Sequence, residues 1–143
     1  MGSAHQFVKT HMKKTTEDLE ILFQALADRT RLRLLNLMFG GEVCVCFFVE
    51  VLDEPQPKIS RHLAFLRDAG LVAARREAKW MHYSITFPRT ETARKIFEHV
   101  LTVLRTDEEM GRDRAKLAAA CCSPRTSDLL KRAPKPEFVD SSP

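Results

Sequence analysis

Apolar residues recur at helical spacing through most of the first half of the chain. Leu19, Leu22, Phe23 and Leu26 follow the i, i+3, i+4, i+7 rhythm of an amphipathic helix, with Thr16 placed to cap it. Asp28 caps a second helix that runs through Phe39 and is stopped by Gly40-Gly41; its leucines are broad enough to bury most of its circumference. A third, short helix fits Glu42 to Leu52, broken by Asp53-Glu54-Pro55 before Pro57 opens a fourth in its first turn. In that fourth helix Ile59, Leu63 and Leu66 form the apolar stripe, while Lys58, Arg61 and His62 share another face with Phe65 at its edge.

After Gly70 the period changes from helical to alternating. Leu71 to Arg75 and Trp80 to Phe87 read as two strands of a hairpin with a charged tip, Arg75-Arg76-Glu77-Ala78-Lys79. Beyond Pro88, residues Thr90 to about Ala120 carry Ala93, Ile96, Phe97, Val100, Leu101 and Leu104 at helical spacing, a long helix with Gly111 as its interruption. Residues 1–15 lack helical periodicity and read as a flexible arm. Residues 123–143 hold four of the seven prolines and read as a disordered tail. The 143 residues therefore predict one domain, 16–122, between two tails.

Charge sharpens this picture by its placement. The net charge is only +4, but residues 54–82 hold six Lys or Arg against three Asp or Glu. The order helix, helix, helix-turn-helix, hairpin, helix is that of a winged helix-turn-helix, mainly α with a β-hairpin wing. Its second motif helix presents N-terminal residues to base edges in the major groove, here Gln56, Lys58, Ser60, Arg61 and His62. Arg75, Arg76 and Lys79 on the wing are placed to clasp phosphate, and His82 reads as a structural or phosphate-contacting residue. Double-stranded DNA is the expected partner. The longest uncharged apolar run, Val43 to Val49, is far below the roughly 18 residues that span a bilayer, and no signal-peptide core is visible. A cytoplasmic protein without a membrane partner is expected.

Four cysteines, two at i,i+2 and two adjacent, suit metal or redox chemistry better than a disulfide framework. On an ideal helix residues two apart point about 200° away from each other, so Cys44 and Cys46 in the third helix would close on one ion only by distorting its first turn. Two small buried hydrophobes are the competing reading. No Gly-rich phosphate loop, catalytic triad or paired carboxylates are apparent, so no enzyme is expected.

Leu26-Ala27-Asp28-Arg29-Thr30-Arg31-Leu32, Glu42-Val43-Cys44-Val45-Cys46, the segment Gln56 to Leu71 and Lys79-Trp80-Met81-His82-Tyr83 together resemble the arsenical-resistance repressors of the ArsR/SmtB family. The resemblance covers roughly Leu19 to Phe87. It implies a homodimeric repressor, joined through its first and last helices, that leaves a two-fold operator when trivalent arsenic, antimony or another thiophilic metal binds. The match to Glu-x-Cys-x-Cys makes Cys44 and Cys46 the expected ligands. This chain departs from the pattern, with Val49 where arsenite-binding relatives carry a third cysteine and Phe47 where they carry Asp. Trivalent inorganic arsenic favours three sulfurs, so the inducer is either an organic arsenical held by two thiols or an ion completed from elsewhere, Cys121 and Cys122 being the candidates. Whether that adjacent pair joins the site, forms a second one or is inert stays open. Two rivals also stand at this point: a redox-sensing repressor of the same fold, and a thiol oxidoreductase or metal carrier using Cys44-Val45-Cys46.

Overall fold

The computed structural model describes residues 15–122, 130 and 132–138. Residues 1–14 of the expected N-terminal arm and the start of the expected tail, 123–129, lie outside them. Helix α1 covers residues 15–26. Asp28 then caps α2 (Arg29–Leu37), its Oδ1 accepting from the Arg31 amide at 3.0 Å. Helix α3 (Val45–Leu52) ends on Asp53 in the left-handed region, and α4 (Gln56–Asp68) starts one residue ahead of Pro57. These are the two helices of the helix-turn-helix. The buried stripe of α4 is the expected one, Ile59, Leu63 and Leu66, and it packs into a core with Leu34 and Leu35 of α2 and Phe47 and Phe48 of α3.

Strands β2 (Val72–Glu77) and β3 (Trp80–Ile85) form the wing, and their turn is tighter than expected, reduced to Ala78-Lys79. A third strand was not expected. Val43–Cys44 forms β1, which pairs antiparallel with β3 to give the order β1-β3-β2. The third helix therefore begins at Val45 rather than Glu42. Extended backbone is stabilised there because Val43 and Cys44 lie opposite Tyr83 and His82, and the ladder satisfies groups that a helix would otherwise bond.

The long C-terminal helix is two helices, α5 (Glu91–Thr106) and α6 (Glu108–Cys122), and the break is at Asp107 rather than Gly111. Asp107 leaves the helical region (φ −75°, ψ 135°) and its Oδ2 accepts from the Met110 amide at 3.0 Å, capping α6. Glu108 and Glu109 then place negative charge in the first turn, where the helix dipole favours it. Helix α6 turns back onto α2. Arg33 makes a double hydrogen bond to Asp113 at 2.7 and 3.0 Å, Asn36 Nδ2 donates to the Met110 carbonyl at 2.9 Å, and Arg114 reaches Asn36 and the Arg105 carbonyl. The ion pairs Arg29 to Glu109 and Arg33 to Asp113 each advance four residues on both helices, so α2 and α6 run in the same direction. The Gly40-Gly41 turn follows α2 and leads into β1. Within the stretch read as a tail, Leu130 and Ala133 are buried, and Phe138 closes on that same turn, where a Cβ on Gly40 would meet its ring at 2.6 Å.

Candidate thiol centre and nucleic-acid interface

Cys44 is both the last residue of β1 and the residue that precedes α3, with φ −71° and ψ 141°. Because its backbone is extended, Cys44 and Cys46 do not obey the helical geometry that would point them apart. Their sulfurs stand 3.3 Å from each other. The expected need to distort the helix is thus removed by the short strand. Cys44 is fully buried and Cys46 only partly, so the pair opens to solvent through Cys46.

The Cys46 thiol donates to the Cys44 sulfur, and this bond does most to bring the Cys44 pKa down to about 7. Burial opposes the shift; the amides of Cys46 and Val45 at the start of α3, and of Met81 from β3, add to it. The same bond pushes Cys46 up, since its proton is shared with a neighbouring thiolate. The pair should therefore lose one proton near neutrality and hold the other. The ultraviolet absorbance of thiolate, taken as the difference between this chain and its Cys44→Ser variant, is expected to rise with pH through a midpoint of about 7. A midpoint at the ordinary thiol value of about 8.5 would contradict this arrangement.

Cys121 is buried near the end of α6, and the Cys122 side chain lies outside the described residues. Among the described residues no three His, Cys, Asp or Glu side chains gather in a way that could hold an ion.

The expected DNA contacts separate into free and engaged groups. Gln56 and Arg61 are exposed on α4, with Ser60 half-buried, and Lys58 pairs with Glu54 at 2.9 Å. His62 turns toward α2 instead, its Nδ1 3.3 Å from Arg31 and 3.8 Å from Asp28, and burial pushes its pKa down. Arg31 also stacks over Phe65 at 4.3 Å, fixing the exposed ring of the fourth helix. On the wing, Arg76 is exposed and donates to the Ala78 carbonyl, while Lys79 sits 5.0 Å over the Trp80 ring. Arg75 is not free. Its Nε donates to both Glu42 oxygens, at 3.2 and 3.0 Å, and its Nη2 to Glu42 at 2.6 Å and to Glu77 at 3.2 Å. That hydrogen bonding holds the Glu42 carboxyl below the usual range. Glu42 and His82 cluster with Arg75 although neither was read beside it: the pairing of β1, β3 and β2 brings these segments together, which no local pattern reveals.

No helix among the described residues is long and apolar enough to cross a membrane. A family model described as bacterial regulatory protein, arsR family, matches residues 28–74, from the α2 cap into the first wing strand. The arsenical resistance operon repressor of Escherichia coli (strain K12) is 52% identical over 66 residues, 46% of this chain and 56% of that protein. This chain spans about half the length of such arsenical-resistance relatives. An HTH-type transcriptional regulator of Methanocaldococcus jannaschii, MJ1325, is 40% identical over 90 residues, 62% of this chain and 100% of that protein. The homodimeric winged helix-turn-helix DNA-binding domain of Mb0332 from Mycobacterium bovis superposes with a TM-score of 0.54 at 28% identity, covering 66% of this chain and 84% of that one. With a winged helix-turn-helix in the matched segment and a full-length relative at this identity, the chain belongs to the ArsR family of bacterial regulatory proteins.

Proposed function

We propose that this chain is a homodimeric transcriptional repressor that binds operator DNA and is released when a trivalent arsenical, or antimonite, binds Cys44 and Cys46. The observation that carries the reading is the pair of sulfurs 3.3 Å apart at the junction of the wing sheet and the helix-turn-helix. With metal–sulfur bonds of about 2.3 Å, as at zinc, that bite corresponds to an angle of about 92°. This is far from the tetrahedral angle of about 109° adopted by structural zinc. It suits a trivalent ion whose lone pair compresses its bonds into a pyramid. Thiolates also select soft ions over hard ones. The third position on arsenic is filled by an organic substituent, or by Cys121 or Cys122.

Gln56, Lys58, Ser60 and Arg61 are the proposed major-groove contacts, with Arg75, Arg76 and Lys79 on phosphate and His62 supporting α4 from behind. The apolar side chains left exposed on α1, Ile21 and Phe23, and on α5, Val103, support dimerisation through those helices. A two-fold dimer sets its recognition helices one DNA turn apart, about 34–36 Å. The inducer acts through differential affinity for the DNA-bound and released conformations. In a gel shift with a duplex selected from a random-core library, arsenite or phenylarsine oxide should weaken binding about 5- to 150-fold, a coupling of roughly 1–3 kcal/mol. Unchanged binding under both arsenicals overturns the reading.

The same 3.3 Å geometry favours a second reading, redox sensing. Hydrogen peroxide would oxidise the Cys44 thiolate to sulfenic acid, releasing hydroxide; the Cys46 thiolate then displaces the sulfenic oxygen as water once protonated, closing a disulfide. Release of DNA by peroxide and not by arsenicals would favour it.

A further inference from the structure

The β1-β3-β2 register sets three functional side chains in one row. Cys44 lies directly opposite His82, and His82 directly opposite Arg75, so a thiol, an imidazole and a guanidinium cross the sheet from the thiol centre to the wing. Residues two apart on a strand share a face, which adds Glu77 beside Arg75 on β2, and Glu42, just ahead of β1, reaches both Arg75 and His82. The contacts follow this placement. The His82 ring, with its side chain 5% exposed, is wedged between the two carboxylates, Nδ1 3.7 Å from Glu42 and Nε2 3.3 Å from Glu77. The approach at Nε2 lacks hydrogen-bond geometry. Both carboxylates hold Arg75. A cavity of about 540 Å³ lies over the group, bounded on its far side by Lys135, Glu137 and Phe138, so Arg75 has room to swing away from Glu42.

We infer that Glu42 is a positioning residue that couples the thiol centre to the wing by competing with DNA phosphate for Arg75. The inference rests on the proposed arsenical response. In the unliganded chain Arg75 exchanges between Glu42 and the DNA backbone. Thiophile binding at Cys44 and Cys46 fixes the end of β1, holds Glu42 in place against His82, and tips the exchange away from DNA. The wing then loses a phosphate contact in each protomer.

The test uses the full chain, phenylarsine oxide and a duplex recovered by selection from a random-core library. Glu42→Gln should bind the duplex roughly three- to tenfold more tightly at low salt, and its log K against log salt should steepen by about 0.9 for each arginine released onto phosphate. Its release by phenylarsine oxide should shrink several-fold while the arsenical still occupies the thiols, as counted by mass spectrometry. Arg75→Gln should show a shallower salt slope and the same loss of response, and adding Glu42→Gln to it should change nothing further. A Glu42→Gln variant with weakened binding and an unchanged slope marks a merely structural role and overturns the inference, as does an undiminished response. If the wild-type chain binds duplex but ignores the arsenical, the underlying reading of the inducer fails instead.

Discussion

Cys44→Ser is expected to abolish release by trivalent arsenicals while leaving DNA binding intact. The variant removes one arm of the proposed two-point chelate and would leave the ion with Cys46 alone. Loss of the intramolecular second contact should weaken capture by on the order of 10²-fold or more, because the second thiol acts at a high effective concentration. The weakening of DNA binding by inducer should fall from the proposed 5- to 150-fold to about one. Folding should survive, since Cys44 stands where α3 begins and serine is among the preferred residues at a helix N-cap. Its hydroxyl can accept from the same amides, those of Val45 and Cys46, that now aim at sulfur. Gel shifts with and without phenylarsine oxide, with thermal denaturation as the control for folding, read this result. A retained response in a folded variant would sink the model.

Asp113→Ala is expected to be the most destabilising of the changes considered, at about 2–4 kcal/mol, or a fall in Tm of roughly 6–14 °C. Asp113 is 2% exposed and takes both hydrogen bonds of the Arg33 fork, so its removal leaves a mostly buried guanidinium without its counter-charge. Replacing both partners, Arg33→Met with Asp113→Leu, should recover much of the loss, because the penalty comes from the unpaired charge. If Asp113→Ala costs less than about 1 kcal/mol, α6 is not held to α2 by this pair. Chemical denaturation followed by circular dichroism measures both variants.

The elements that were legible in the sequence are those whose signal is local. Asp28 announces a cap, Ile59, Leu63 and Leu66 announce a buried stripe, and the alternation from Trp80 to Phe87 announces a strand. The break at Asp107 was also local, an Asp followed by two glutamates in a first turn, but the apolar spacing of the surrounding residues hid it. Strand β1 could not be read in this way. Two residues have no periodicity, and Val43-Cys44 is extended only because β3, nearly forty residues later, offers it a ladder. That single non-local pairing changed the thiol centre most, since the extended backbone at Cys44 brings together sulfurs that a helix would separate. The same pairing created the row through His82 and engaged Arg75, which in sequence reads simply as a wing cation. His62 was read on the DNA face because it borders Lys58 and Arg61; the approach of Asp28 and Arg31 turned it inward.

The extended backbone at Cys44 also bears on time. A sensor that must melt a turn of helix before its sulfurs converge waits for local unfolding, which takes microseconds to seconds. With the sulfurs already 3.3 Å apart and Cys46 partly open to solvent, the proposed capture would be a two-step ligand exchange on a preformed pincer. Under the proposed function, release from DNA would then not wait for local unfolding of the helix.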